Sequence, residues 1–263
     1  MKTSKGQITL FVIIGLVLLL GTMTFLFMKN DSVEKNMDSQ LKTQLSPNTD
    51  VATIQKVILS CEDIALHNAT KQAIDTSFFF PYSSSLNFKG VPYFYFSGRG
   101  LLPEGFVVER KMADIINSQV LDCVNNFDDV KQILSGDMSF NGVFKDVKVT
   151  MDVSSVNVMI DPAITLSTPE KTITVGPVTN SIDSDLGALF RTAELTIFSP
   201  EKDPSKYFEP AKDFAKDNGI EYSFSYFTFP TEGLWFVIKS DKKDSLYNTS
   251  SQISFRIQAG GSV

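Results

Sequence analysis

The 263-residue chain is poor in side chains that carry catalysis and bind metals, with one histidine (His67), one tryptophan and two cysteines, Cys61 and Cys123. A serine-hydrolase triad would have to use His67, but there is no Gly-x-Ser-x-Gly elbow. Two isolated cysteines and one histidine do not supply a zinc ligand set. Phosphate loops, dinucleotide fingerprints and calcium loops are also absent. The sequence therefore predicts no catalytic residue, no metal, no cofactor and no enzyme, and it places His67 on a solvated helix face.

The chain also lacks the basic excess of a nucleic-acid-binding protein. Residues 1–29 carry Lys2, Lys5 and Lys29 and no acid, and the remaining 234 residues hold 21 basic and 30 acidic side chains. Because binding to phosphates needs a basic footprint, this balance argues against nucleic acid as a partner. No small-molecule ligand is indicated by the sequence.

A long uncharged run near the start is the most informative segment. Gln7 to Met28 spans 22 residues without a charge, which as a helix is roughly 33 Å long and crosses a hydrocarbon core of about 30 Å. Lysines precede the run, and acids join Lys29 after it, so the positive-inside rule places the N-terminus in the cytoplasm and the main domain outside. The run lacks the small-residue cleavage site of a secretory signal. We expect it to remain as a membrane or assembly helix that includes Ile8, Phe11, Ile14, Leu18 and Phe25.

The stretch KGQITLFVIIGLVLLL resembles the class III signal of archaeal type IV pilin-like proteins. In that family a basic leader ends in Lys/Arg-Gly, a peptidase cuts before Gln, and the hydrophobic helix packs into a filament core. The resemblance implies processing between Gly6 and Gln7 and contacts between copies through the helix. Those pilins commonly carry an acid five residues into the mature chain, where this chain has Phe11. That departure favours the alternative of a permanent single anchor.

Residues 30–50 connect this segment to the main domain. Val33, Met37, Leu41 and Leu45 recur every four residues, and Pro47 ends the pattern. The spacing predicts a helical stalk, and the alternative is a polar linker.

Residues 51–263 predict an extracytoplasmic α+β domain with mixed helices and antiparallel sheet. Helical spacing of apolar residues covers 51–76 and 104–126. Short β-rich runs fill 138–179, helices are predicted at 184–197 and near 209–218, and three strands close the chain. Asp183 and Asp185 fit solvated helix caps. One domain is the expectation, and two lobes, 51–136 and 137–263, are the alternative.

Cys61 and Cys123 each fall on the apolar stripe of a predicted helix. Packing of the two stripes would bring their Cα atoms within disulfide range, and an outward-facing domain lies in an oxidising compartment. We predict a Cys61–Cys123 disulfide, with two buried thiols as the alternative.

Aromatic clusters and glycosylation sequons are the remaining candidate sites. Aromatic rings occur on both faces of the predicted strands. This pattern favours a place in the hydrophobic core, and a partner-binding surface is the alternative. The candidate partner-binding aromatics are Tyr93, Tyr95, Tyr222 and Tyr226. Asn30, Asn68 and Asn248 begin Asn-x-Ser/Thr sequons that would lie outside the membrane.

The KGQ start, Ser60-Cys61-Glu62, the PYFYF of 92–96, the LLPE of 101–104 and the LDCVNNF of 121–127 together resemble a group of membrane-anchored proteins from small-genome archaea. This resemblance implies a cell-envelope protein with paired cysteines and implies no activity. The sequence thus favours a structural or adhesive surface protein. The more specific hypothesis is a pilin-like filament subunit. The alternative is a singly anchored module that binds an envelope component or a partner protein.

Overall fold

The computed structural model describes residues 49–79, 87–97, 99–134, 136–167, 171–198, 208–227, 233–243 and 250–258. The predicted stalk and several predicted sites lie outside these ranges: Gly6, Gln7, Ile8, Phe11, Ile14, Leu18, Phe25, Asn30 and Asn248. None of the helices within the described ranges is both long and apolar enough to cross a membrane.

Two long helices form where the sequence places apolar residues three and four apart. Helix α1 spans Thr49–Asp75 and helix α2 spans Gly105–Val124. Helix α2 buries Val108, Met112, Ile116 and Val120 on one stripe, and it ends at Asn125, whose φ of 41° is left-handed. Asparagine tolerates that conformation better than most residues, which explains the stop. A 3₁₀ turn, Asn125–Phe127, and the short helix α3, Asp128–Lys131, follow.

The largest sheet has six strands. Its spatial order is β1 (Asn87–Phe88), β2 (Val91–Phe96), β12 (Ser250–Ile257), β11 (Gly233–Lys243) and β10 (Ile220–Phe227), and β3 (Arg99–Gly100) also pairs with β2. The pairs β10–β11 and β11–β12 are antiparallel, whereas β12 and β2 are parallel. Lys89 and Gly90 have φ of 52° and 80° in the β1–β2 turn. Two left-handed residues are what a type I′ hairpin needs, so Lys89 and Gly90 form the turn of this hairpin.

Two three-stranded antiparallel sheets occupy the middle of the chain. One is ordered β5 (Asp146–Met151), β6 (Ser155–Asp161), β9 (Val178–Asp183), and the other β4 (Asp137–Ser139), β7 (Thr165–Ser167), β8 (Thr172–Thr174). In β6 every second residue is buried, namely Val156, Val158 and Ile160. This alternation is typical of a sheet with one face on the core.

Two further helices join these sheets. Helix α4, Leu186–Phe198, contacts β6, β11 and β12, and helix α5, Glu209–Asp217, contacts α4 and β10. Ser184 Oγ accepts a hydrogen bond from the Leu186 N–H at 3.2 Å and so caps the start of α4. A Cβ on Gly187 would lie 2.1 Å from the carbonyl oxygen of Asp152, which lies in the turn between β5 and β6. Only glycine therefore permits the first turn of α4 to approach that turn so closely.

The observed architecture is therefore α+β with mixed sheets. Its core combines the buried stripes of the helices with one face of the large sheet. The sheet contributes fully buried side chains from its central strands: Phe94, Phe236, Ile238, Ile253 and Phe255.

Candidate functional site

A disulfide joins the two long helices. The Sγ atoms of Cys61 on α1 and Cys123 on α2 are 1.98 Å apart, and their Cα atoms are 5.8 Å apart. Asn68 Nδ2 donates to Gln119 Oε1 at 3.0 Å. Asn68 follows Cys61 in α1, whereas Gln119 precedes Cys123 in α2. The helices are therefore antiparallel. Cys61 is buried as expected, but Cys123 is exposed, which corrects the expectation that it lies within an apolar stripe.

A buried carboxyl group follows the first cysteine. Glu62 has no exposed surface, and neither of its carboxyl oxygens has a hydrogen-bond partner within the part of the chain that the structure describes. Burial, followed by the negative charge of Asp63, raises the pKa of Glu62 to about 8. The group is therefore mostly protonated at neutral pH. Glu62 was named only within the Ser60-Cys61-Glu62 motif and its burial was not predicted, although it lies four residues from both Ile58 and Leu66 on the buried side of α1.

His67 corrects a prediction. It was expected on a solvated face, but it is only 5% exposed and its Nδ1 donates to the Asp63 carbonyl oxygen at 2.9 Å. Ile64 differs in the opposite direction: it is one of the apolar residues of the predicted helix 51–76, and it is 53% exposed. Asp63, four residues before His67, accepts a hydrogen bond from Asn180 of β9 at 3.4 Å, so β9 contacts α1 near the histidine.

A continuous line of phenylalanine rings crosses one face of the large sheet. We define the aromatic row, in spatial order, as Phe79, Phe94, Phe255, Phe236, Phe224 and Phe208. Neighbouring centroids are separated by 5.7, 4.2, 5.1, 5.6 and 5.7 Å. Phe94, Phe255 and Phe236 are stacked and fully buried, whereas Phe224 is 47% exposed. The row thus passes from half-buried Phe79 through the core to Phe224 on β10, whose exposed ring also contacts half-buried Phe208.

The four tyrosines proposed as a partner-binding set do not share one surface. Tyr93 is 6% exposed and is excluded from such a role, because it belongs to the core. Tyr95 and Tyr222 are half-buried. Burial raises the pKa of Tyr222, whose hydroxyl accepts a hydrogen bond from Thr196 Oγ1 at 3.2 Å. Tyr226 is 61% exposed, and on the same face of β10 it is accompanied by Phe224, which was not among the four predicted tyrosines.

An arginine on β12 lies between two aromatic rings. The Arg256 guanidinium carbon is 4.5 Å from the centroid of Phe88 and 5.7 Å from that of Trp235. Arg256 is 6% exposed and Trp235 is 36% exposed. Cation–π contacts of this kind stabilise a cation most where water is excluded. This contact therefore holds β1, β12 and β11 together, and sequence spacing gave no signal for it.

Asp185 is a structural tie and not the solvated cap that the sequence suggested. It is 5% exposed, Ser240 Oγ donates to its Oδ2, and Lys242 Nζ donates to its Oδ1 at 2.7 Å. Ser240 also accepts from the Lys242 N–H at 3.0 Å and is 1% exposed. Because the Ser240 hydroxyl is buried, a substrate would not reach it as a nucleophile. The three groups instead fix the start of α4 to strand β11.

Two remaining expectations concern metals and glycans. Among the residues that the structure describes, no three or more histidine, cysteine or acidic side chains are grouped so that they could hold a metal ion. Asn68 is half-buried on α1 and its Nδ2 donates to Gln119, so a glycan on that atom would replace this hydrogen bond.

Comparison of the chain with protein-family models, curated proteins and solved structures found no match.

Proposed function

We propose that the chain is a cell-surface structural or adhesive protein, anchored by residues 7–28 and pilin-like in its mode of assembly. The observation that carries the proposal is the run of 22 uncharged residues, preceded by lysines and followed by an acidic domain. Its length suits a membrane or filament-core helix, and the charge bias orients the domain outward.

The disulfide supports the outward orientation. Bonds of this kind persist in oxidising compartments and are rare in the cytoplasm of most organisms. The Cys61–Cys123 bond links the two long helices of the main domain, so the fold itself includes a feature suited to the cell exterior.

The arrangement of the described polar and aromatic side chains also supports a structural role over a catalytic one. The Asp185–Ser240 pair is buried, and Glu62 has no hydrogen-bond partner within the described residues. Neither is a nucleophile–base pair facing an open cleft. The exposed aromatic side chains Phe224 and Tyr226 are instead suited to contact with another protein.

The first experiment tests the anchor. Ile14→Asp places a charge at the centre of the run, where an acid opposes insertion by about 2.5–3.5 kcal/mol. We expect this variant to be released or degraded, while Ile14→Val stays in the membrane fraction. A protease added to intact cells should digest the domain of the wild-type protein. Normal membrane fractionation of Ile14→Asp would contradict the proposal.

The second experiment separates the pilin-like role from a single anchor. N-terminal sequencing of the mature protein should begin at Gln7, and electron microscopy of sheared cell surfaces should show filaments. Phe11, at the position of the usual pilin acid, favours the alternative of a singly anchored module that binds an envelope component or a partner protein. An intact Met1 together with the absence of filaments would establish that alternative.

A further inference from the structure

Strand β10 lies at one margin of the large sheet as the structure describes it, and helix α5 contacts it. Within the ranges that the structure describes, it pairs with β11 alone, over eight residues and without a register shift in the pairing. It contains no lysine and no proline, and its one charged residue is Glu221. Proteins usually protect sheet edges with lysine, proline or a bulge, because outward-facing N–H and C=O groups recruit other strands. Strand β10 carries none of these features.

The opposite margin of the same sheet is built differently. Strands β1 and β3, which flank β2, contain two residues each. Short strands limit edge-to-edge pairing. The contrast identifies β10 as the margin of this sheet that is suited to a further strand.

The sequence of β10 matches itself when reversed. Residues 222–226 read Tyr-Ser-Phe-Ser-Tyr. If two copies align antiparallel with Phe224 opposite Phe224, each Tyr222 lies opposite Tyr226, and each Ser223 lies opposite Ser225. Like side chains thus meet at every position, with aromatic residues on one face and serines on the other.

Charge and exposure favour the same arrangement. Antiparallel alignment places the two Glu221 carboxylates at opposite ends of the strand pair, whereas parallel alignment would bring them together. Ser223, Phe224, Ser225 and Tyr226 are all exposed in the structure. Phe224 is the one exposed member of the aromatic row and lies beside Phe208, so a strand pair centred on Phe224 would bring the rows of the two copies together.

We propose that β10 pairs antiparallel with β10 of a second copy of this chain, centred on Phe224, so that the two large sheets become continuous. The occupant is a second copy, because the palindromic side-chain order matches this strand to itself. The proposal uses only residues of the main domain and does not depend on the anchor or on filament formation.

Register-specific cross-linking of the full-length chain in detergent micelles tests the proposal. Ser223→Cys and Ser225→Cys chains are oxidised separately and as a mixture. Within the described residues there is no free cysteine that would compete. Directly opposed residues on antiparallel strands lie about 4.5–5.5 Å apart, whereas diagonal positions are about 7–8 Å apart and beyond disulfide reach. We expect at least about tenfold more covalent dimer in the mixture than in either separate sample.

The matched control uses the terminal strand of a small sheet. Thr172 and Thr174 of β8 are exposed and two residues apart, so a mixture of Thr172→Cys and Thr174→Cys chains reports random collisions within micelles. Little dimer is expected from it. Equal dimer yields in the separate and mixed Ser samples, or as much dimer from the β8 control, would overturn the proposal.

Discussion

Phe94 and Phe255 stack face to face on neighbouring parallel strands, with ring centroids 4.2 Å apart and planes 8° from parallel. Strands β2 and β12 are far apart in sequence and share few paired residues. The ring contact is therefore a main link between the beginning and the end of the domain, and it makes the two ends of the fold mutually dependent.

We predict that the cost of shortening a ring in the aromatic row depends on its position. Phe255→Ala should destabilise the protein by about 3–5 kcal/mol, because it opens a cavity among fully buried rings. Phe224→Ala should destabilise it by roughly 1–2 kcal/mol, since that ring already contacts water. Urea unfolding followed by the fluorescence of Trp235, the single tryptophan, measures both variants. Equal effects would show that the row is not graded from core to margin.

The disulfide gives a second prediction. The bond closes a loop with a sequence separation of 62, which corresponds to about 4 kcal/mol in the chain-entropy treatment. Replacing both cysteines by serine should lower the free energy of unfolding by an amount of this order. Urea unfolding of the double variant and of the reduced wild type should agree.

Intact-mass measurement provides the control for that prediction. Unfolded, unreduced protein should take up no alkylating reagent at Cys61 or Cys123, whereas reduced protein should take up two equivalents. Alkylation of both thiols without reductant would remove the basis for the predicted loss of stability.

Much of the secondary structure could be predicted from the sequence, because local periodicity determines it. The observed helices α1 and α2 agree with the predicted 51–76 and 104–126 to within two residues, and the three closing strands were also anticipated. Strand β9 was not recognised, since the sequence VTNSID has only Val178 and Ile182 as buried apolar residues. Short polar strands gain their stability from neighbours that the sequence does not reveal.

The site residues were harder to predict, because they depend on which elements meet. Glu62 and His67 are polar, yet both are buried on α1. Asp185 looked like a helix cap until β11 brought Ser240 beside it. Periodicity identifies the face of an element but not what lies against it.

Glu62 gives a third prediction, concerning pH. Its pKa is about 8 in the folded protein and about 4.3 in an unfolded chain. Because the unfolded state loses this proton first, the contribution of Glu62 to stability is complete below the unfolded pKa. It declines as pH rises to about 8, by an amount on the order of 5 kcal/mol. Unfolding free energies measured between pH 5 and 8 should show this decline.

A neutral replacement tests the origin of the pH dependence. Glu62→Gln should remove most of the decline, so that its stability relative to wild type increases from pH 5 to pH 8. Glu104→Gln, at an exposed glutamate, should retain the wild-type slope. Parallel slopes for wild type and Glu62→Gln would refute the assignment of the decline to Glu62.

The contacts of Asp185 with Ser240 and Lys242, which join α4 to β11, give a fourth prediction. It concerns the order in which substitutions of these residues lower the free energy of unfolding. Asp185→Ala removes the acceptor of both Ser240 and Lys242 and leaves a buried hydroxyl without its partner, so we expect a destabilisation of about 2–4 kcal/mol. Ser240→Ala retains the ion pair of Asp185 with Lys242 but removes the acceptor of the Lys242 N–H, and it should cost about 1–2 kcal/mol. Lys242→Met should cost less than about 1 kcal/mol, because the lysine side chain is largely exposed. Asp185→Asn preserves an acceptor for Ser240 without the charge, and its stability should lie between those of Asp185→Ala and wild type. Urea unfolding of the four variants gives the order, and a loss for Lys242→Met as large as that for Asp185→Ala would place the stabilisation in the surface ion pair instead of the buried hydrogen bond.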